Sequence, residues 1–401
     1  MNPPFIYLDN NATTPVDPRV LAAMLPYFTD IPGNAASRNH PYGWKAKEAV
    51  DTARQQIADL LTVERKELVF TSGATEAINL AIKGIYENYS RKGKHIITLQ
   101  TEHKAVLDTC KRLEKIGAEV TYLPVQEDGL LNVELLKTTI RPDTILVSVL
   151  WANNETGVIQ PMKDIGHICQ EKGVFLMSDA TQAVGKIPVS PKEVGVHLMA
   201  FSAHKMYGPK GMGALYVSQR QPKIKIPAQI DGGGHENGMR SGTLNVPSIV
   251  GFGKAAMIAK TEMQRDAERL QELRDQFEAK MLNGLEEVKI NGEPNIRLPH
   301  VSNLSFRFIK GETLMARFSE KLGVSSGSAC TSATLEPSHV LQAMGLNDYW
   351  AHGALRFSLG RFTKVEEIEK ASRIVIDGVK HLRELSPIWE LFKDGVEVDN
   401  L

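Results

Sequence analysis

Three short segments, each placed just after an apolar run, carry side chains that can do chemistry. The first is Thr71-Ser72-Gly73-Ala74-Thr75-Glu76, a turn of small residues entering a helix. Such a turn presents backbone N–H groups at the positive end of the helix, where a phosphate can sit. Taken by itself it also reads as an ordinary Ser/Thr cap followed by an acidic residue. The second is Ser178-Asp179-Ala180-Thr181-Gln182. A carboxylate buried at a strand end requires a cationic partner, and a protonated ring nitrogen would supply one; a helix cap is the competing reading. The third is Ser202-Ala203-His204-Lys205, followed by Tyr207-Gly208-Pro209-Lys210-Gly211-Met212-Gly213. A lysine between a strand and a glycine-rich loop can form an imine with an aldehyde if its surroundings hold the amine partly deprotonated. Alone, it is more often a solvated surface residue.

A phosphate turn, a carboxylate for a ring nitrogen and an imine-forming lysine, in that order on successive strand ends, describe a site for pyridoxal phosphate held covalently by Lys205. Asp179 would keep the ring protonated, so that it draws electrons from a bound amino acid. His103, in Thr101-Glu102-His103-Lys104, could lie flat over the ring or move protons near neutral pH, or be structural. Asn154, in Asn153-Asn154-Glu155-Thr156-Gly157, can donate to a ring hydroxyl or a substrate carboxylate. The run Gly232-Gly233-Gly234-His235-Glu236 leads to Gly238-Met239-Arg240-Ser241-Gly242-Thr243, which reads as a phosphate or dimer-contact loop. Finally, Ser325-Ser326-Gly327-Ser328-Ala329-Cys330-Thr331-Ser332-Ala333-Thr334 has too little bulk to be anchored in a core, so this segment is expected to be exposed and mobile with an accessible thiol. Cys110 and Cys169, on helical patterns, fit buried small hydrophobes.

These residues need a frame. From about residue 67 to 217, short β-branched runs alternate with amphipathic stretches, the pattern of an α/β fold with a mainly parallel sheet covered by helices. Strands are expected at 67–70, 95–98, 119–123, 145–149, 174–177 and 198–201, and ligands of such sheets collect at the carboxyl ends. The stretch from Phe252 to about Glu287 predicts a long connecting helix, beyond which strands are expected at 303–308 and 355–359. The division implied is a large domain at 15–260 and a smaller α+β domain made of 1–14 plus 261–401.

The 47 basic side chains cancel the 47 acidic ones, so no global field would draw the chain to nucleic acid or an anionic membrane. No apolar run reaches spanning length and the opening residues lack a secretory signal, so a cytoplasmic location is expected. The 3 cysteines are odd in number and far apart, which suggests neither a disulfide framework nor a Cys-x-x-Cys knuckle. Neither a nucleotide P-loop, a dinucleotide Gly-x-Gly-x-x-Gly nor a His-Glu-x-x-His zinc pattern is present.

Together the segments resemble the cysteine desulfurases, class V aminotransferase relatives among the fold-type I pyridoxal-phosphate enzymes. The resemblance runs from Tyr7-Leu8-Asp9-Asn10-Asn11-Ala12-Thr13-Thr14-Pro15 to Ser386-Pro387-Ile388-Trp389-Glu390. It is closest to the housekeeping bacterial type that serves iron-sulfur cluster assembly, through Thr101-Glu102-His103-Lys104-Ala105-Val106-Leu107-Asp108, the Gly238 to Thr243 motif and the Cys330 segment. It implies that Lys205 holds the cofactor and acts as base, Asp179 pairs with the ring nitrogen, His103 stacks on the ring, and Gln182 and Asn154 contact its oxygen side. Ala74, Thr75, Ser202 and His204 would hold the phosphate, with Thr243 reaching the phosphate of the other subunit of a homodimer. Arg356 would grip the substrate carboxylate.

The implied reaction converts L-cysteine to L-alanine and leaves the sulfur as a persulfide on Cys330. Delivery would be to an iron-sulfur scaffold protein and other acceptors, Cys330 sharing iron of a 2Fe-2S centre transiently. The segment 389–395 would be a scaffold-docking tail or simply a final packed helix. Asn10-Asn11 stands where the nearest relatives carry Tyr-Ser, a change expected to disturb nothing central, and Ala35 stands where Pro is usual. Other chemistries on the same fold would keep Asp179 and Lys205: an aminotransferase needs no mobile Cys330 thiol, and a selenocysteine lyase would differ in its relative turnover of cysteine. A catalytically inert sulfur carrier or scaffold would need none of these residues intact.

Overall fold

A computed structural model describes residues 5–220, 223–326 and 337–396. Its centre is a seven-stranded sheet in the order Leu68–Thr71, Gly213–Val217, Leu198–Ser202, Phe175–Asp179, Thr144–Ser148, His95–Leu99, Glu119–Leu123. All pairs are parallel except the two made by Gly213–Val217. Each of the six expected strands is present within two residues of its expected bounds. The seventh, Gly213–Val217, lies outside the expected set although Ala214-Leu215-Tyr216-Val217 is an apolar run, because that run directly adjoins the glycine-rich loop.

The inner strands are buried on both faces, which is why they read as continuous apolar runs. Alternation still assigns their faces: Met199 and Phe201 join one core, Leu198 and Ala200 the other. Helix Pro41–Leu61 covers the first face through Ile57 and Leu61, and helices Ala74–Tyr89 and Lys104–Glu114 cover the second through Ile78, Ile82 and Val106. Cys110 and Cys169 are buried, as their helical patterns predict.

The long helix runs Val246–Gly284 and is capped by Asn245, which accepts from Ser248 N at 3.3 Å. It starts six residues before the expected Phe252, because a proline is tolerated in the first turn, where its N–H would have no partner. Gly253 lets helix Pro41–Leu61 approach: a Cβ there would lie 2.4 Å from the Ala53 Cα. The first half of the long helix packs Ile249, Phe252 and Ala256 into the main core, and the second half packs Leu270, Leu273, Phe277 and Met281 into another.

That second core rests on an antiparallel sheet, Val288–Ile290, Val301–Phe306 and Ala354–Ser358, under helix Val365–Glu384. The strand expected at 303–308 ends at Phe306, because Phe308 takes a φ of 71° that a strand cannot continue through. Its ring instead packs on Trp389 and Phe392, at centroid distances of 5.7 and 4.9 Å. Helix Pro387–Lys393 is thus packed through Trp389. Near the other terminus, Ile6–Tyr7 pairs in parallel with Leu322–Gly323, which delivers residues 9–14 to the carboxyl edge of the main sheet. Among the described residues no helix is long and apolar enough to cross a membrane.

Candidate functional site

A cavity of about 550 Å³ opens at that edge. Gly213 lies in register with both Thr71 and Ser202, and a Cβ on it would come within 2.6 Å of the Gly73 carbonyl carbon. Only a bare glycine backbone lets this strand pass so close to the turn. The contact brings Ala74 and Thr75, in the first turn of helix Ala74–Tyr89, onto the same cavity as Ser202 and His204. A cradle of helix N–H groups, hydroxyls and an imidazole suits a phosphate. Arg240, the cation of the glycine motif, is engaged elsewhere, with its Nε 2.8 Å from Glu76.

Lys205 ends the 3₁₀ turn Ala203–Lys205. Its amine donates to the Ala12 carbonyl at 2.8 Å and also to the Asn11 carbonyl. The loop is stitched to this turn by Thr14, whose N and Oγ1 donate to the His204 carbonyl at 3.0 and 2.9 Å, and by His204 Nδ1, 3.1 Å from Thr13 Oγ1. Burial, then the charges of Lys205 and Lys210, push His204 down to about 4, so its ring is neutral at pH 7 and offers one N–H.

Asp179, 7% exposed, closes strand Phe175–Asp179 and lines the cavity. One oxygen accepts from Thr181 N at 3.0 Å, so a turn-forming role and a place on the cavity wall coexist. Beneath it lies Glu102, fully buried, accepting from Leu150 N. Burial, then the Asp179 charge, holds the Glu102 carboxyl well above the usual range.

His103 caps helix Lys104–Glu114, with Nδ1 accepting from Ala105 N at 3.1 Å. The structural role anticipated for a lone histidine is therefore real, and it fixes the chemistry: only Nε2 remains for proton exchange. Burial lowers the His103 pKa, opposed by Asp179 and assisted by Lys205.

Gln182 donates to the Asn11 carbonyl at 3.0 Å, while its buried Oε1 has no partner among the described residues. Arg356, 2% exposed, is held by Asp9 Oδ1 at 2.7 Å and by the Asn154 carbonyl at 2.9 Å, and its buried Nε has no partner among the described residues. Buried polar atoms without partners are costly unless a ligand takes them up. With the phosphate cradle, the Asp179 carboxylate and the Lys205 amine on one cavity of suitable size, these residues fit pyridoxal phosphate together with an amino-acid substrate.

Of the residues singled out from the sequence, Ala74, Thr75, His103, Asn154, Asp179, Gln182, Ser202, His204, Lys205 and Arg356 all line this cavity. Thr243 does not; it is exposed, in the loop before the long helix. Cys330 lies outside the described residues, while Ser325, at the head of its small-residue run, is buried rather than exposed. Ser325 and Arg356 exchange backbone hydrogen bonds of 3.3 and 2.7 Å, a ladder contact that small side chains do not prevent. No group of three or more metal-ligating side chains occurs among the described residues.

The sequence reading missed Asn11, Ala12 and Thr13, which wall the cavity, and it took Asn10-Asn11 for a neutral change. The signal was available: a polar turn follows the apolar run 5–8, the same strand-end signature used elsewhere in the chain.

Residues 6–371 match the family described as Aminotransferase class-V. Cysteine desulfurase IscS of Shewanella piezotolerans is 55% identical over 398 residues, covering 99% of this chain and 98% of the relative. Cysteine desulfurase IscS of Neisseria meningitidis serogroup C is 54% identical over 396 residues, covering 99% and 97%. Among solved structures, a NifS-like protein superposes with a TM-score of 0.88 at 38% identity, covering 94% of this chain and 100% of that one. SspA in complex with cysteine superposes with a TM-score of 0.78 at 35% identity, covering 90% and 100%.

Proposed function

We propose a division of labour for this site on the premise that the chain belongs to the class-V aminotransferase family and is a pyridoxal-phosphate-dependent cysteine desulfurase. It takes sulfur from L-cysteine, leaves L-alanine and supplies the sulfur for iron-sulfur cluster assembly. The observation that carries this reading is the convergence of the phosphate turn, Asp179, Lys205 and Arg356 on one cavity.

When bound, the cofactor supplies a ring that withdraws electrons from the substrate's α-carbon. Ala74, Thr75, Ser202 and His204 hold its phosphate, and Asp179 holds a proton at the ring nitrogen. Lys205 would anchor the cofactor, and its amine would move the substrate's α-proton. His103 would lie against the cofactor as a neutral imidazole with Nε2 left to exchange a proton, while Gln182 and Asn154 would serve the ring oxygen and the substrate. Arg356 binds the substrate carboxylate through the edge that carries its Nε, since Asp9 and Asn154 occupy its terminal nitrogens. The Cys330 thiolate would form an S–S bond to the substrate sulfur as the bond from that sulfur to the β-carbon breaks; the electron pair stays with the β-carbon, which takes up a proton and becomes the methyl group of alanine, leaving the persulfide on Cys330.

The exposure of Thr243, outside its own cavity, supports a homodimer in which it reaches the other subunit's phosphate. Sulfur acceptors include an iron-sulfur scaffold protein, with Cys330 sharing iron transiently, in the cytoplasm. The two cores joined by the long helix support the division into 15–260 and 1–14 plus 261–401.

Purified protein given L-cysteine and a reductant is expected to release sulfide and alanine in equal amounts; alanine without sulfide, or keto-acid formation, would contradict a desulfurase. Arg356→Lys keeps the charge facing Asp9 but loses the planar fork. One charge-assisted hydrogen bond of about 1.5–3 kcal/mol is lost, so KM for cysteine should rise about 10- to 100-fold with the bound cofactor's visible band unchanged. An unchanged KM would remove Arg356 from the substrate site.

A further inference from the structure

Behind the anchor lysine lies a second buried lysine that the reaction as described does not use. Lys186 is 6% exposed, and the partner of its amine is a histidine ring, His300 Nε2, at 3.1 Å. The amine also lies over the Tyr207 ring, 5.6 Å from its centroid. His300, wholly buried just ahead of strand Val301–Phe306, places the same Nε2 2.9 Å from Asn11 Oδ1.

Asn11 is the junction of the site. Its N donates to Ser358 Oγ at 2.9 Å and its Nδ2 to the Asn154 carbonyl at 3.1 Å. Its carbonyl accepts from Gln182 Nε2 and from the Lys205 amine. The bond to Asn154 fixes the orientation of the amide, because the flipped form would set two oxygens against each other. Oδ1 therefore faces His300 and requires a donor, so Nε2 must carry the proton. Nδ1, which has no partner among the described residues, is then the bare nitrogen of a neutral ring.

This tautomer constrains Lys186. A protonated Nε2 has no lone pair for an ammonium, whereas a neutral amine can accept the Nε2 hydrogen in a bond shared with Asn11 Oδ1. An ammonium at Lys186 would demand a bare Nε2, moving the ring proton to Nδ1 and leaving Asn11 Oδ1 facing a lone pair. Charge on Lys186 and the His300–Asn11 hydrogen bond thus exclude one another. The surrounding groups agree. Lys186 faces Lys205, Arg361 and Asp266, and burial, then the charges of Lys205 and Arg361, bring it down to about 7. His300 faces Lys186, Arg274 and Arg356, and burial, then these cations, hold it well below its ordinary value. Tyr207, pushed up to about 12 by burial, keeps its proton throughout.

We propose that Lys186 and His300 are positioning residues for the anchor: while Lys186 is uncharged, His300 donates to Asn11 and Asn11 holds the Lys205 amine, and a proton on Lys186 breaks this chain. The inference rests on the assignment of Lys205 as cofactor anchor.

The test is the pH profile of kcat/KM for L-cysteine on the holoenzyme, together with the visible band of the enzyme with L-cysteine bound, where the Lys205 amine is free. The wild type should lose about tenfold in rate per pH unit below about pH 7, with a step in the visible band at the same pH. Lys186→Met cannot take up the proton. His300→Gln offers an amide N–H to Asn11 and an oxygen to a charged Lys186 at once, so the two demands no longer conflict. Both variants should lose the acid limb and the band step, changing by less than about twofold between pH 6 and 7. His300→Ala, without a donor, should be impaired at every pH. If Lys186→Met does not fold, His300→Gln decides. Either variant retaining the wild-type limb and step overturns the proposal. A covalent visible band that persists in dialysed Lys205→Ala, without L-cysteine, would instead sink the anchor assignment.

Discussion

Lys205→Ala should abolish turnover, by roughly 10⁴-fold or more, and should leave no covalently held visible band after dialysis. The size follows from the two roles combined in one amine. A positioned general base alone is worth about 10²–10⁴-fold, and the same nitrogen also fixes the cofactor against Asp179. The variant should fold: the Lys205 amine donates to two backbone carbonyls, of Asn11 and Ala12, while the turn is tied independently through Thr14 and His204. Absorbance of the dialysed protein, with circular dichroism as the control for folding, provides the measurement. A surviving covalent band would move the anchor to another lysine, of which Lys210 also lines the cavity.

Cys330→Ala should separate the two halves of the reaction. Its visible band and the spectral change on adding L-cysteine should persist, because every described cavity residue is untouched. Sulfide release should fall about 10³-fold or more, since no other group supplies the attacking thiolate; Cys110 and Cys169 are buried and, through burial, both pushed up to about 12. Intact-mass measurement after exposure to cysteine should show one added sulfur in the wild type and none in the variant. Normal sulfide release by Cys330→Ala would remove the persulfide step.

The strand ends were legible because α/β sheets advertise them: an apolar run stops and a polar residue with no reason to be at an edge appears, as with Asp179 after Phe175-Leu176-Met177-Ser178. The same rule located Lys205. It did not reach the hydrogen bonds that decide protonation, which join residues far apart in sequence. Lys186 follows a glycine and His300 a proline, with nothing in the local sequence to mark either, and only folding brings Lys186 to His300 and His300 to Asn11. The strand Gly213–Val217 escaped for a related reason, since its identity comes from the antiparallel partners on either side. Phe308 shows the converse: its apolar character extended the expected strand, but its ring belongs to Trp389 and Phe392.

The 39-residue helix Val246–Gly284 carries a consequence for how the molecule comes apart. Phe252 and Phe277 hang from one continuous ladder of backbone hydrogen bonds, yet each is clamped in a different core. Fraying that begins around Phe277 must either stop at a costly break within the helix or unzip toward the wall that carries Lys205. A lesion in the smaller core is thereby felt as a loosening of the cofactor's own floor.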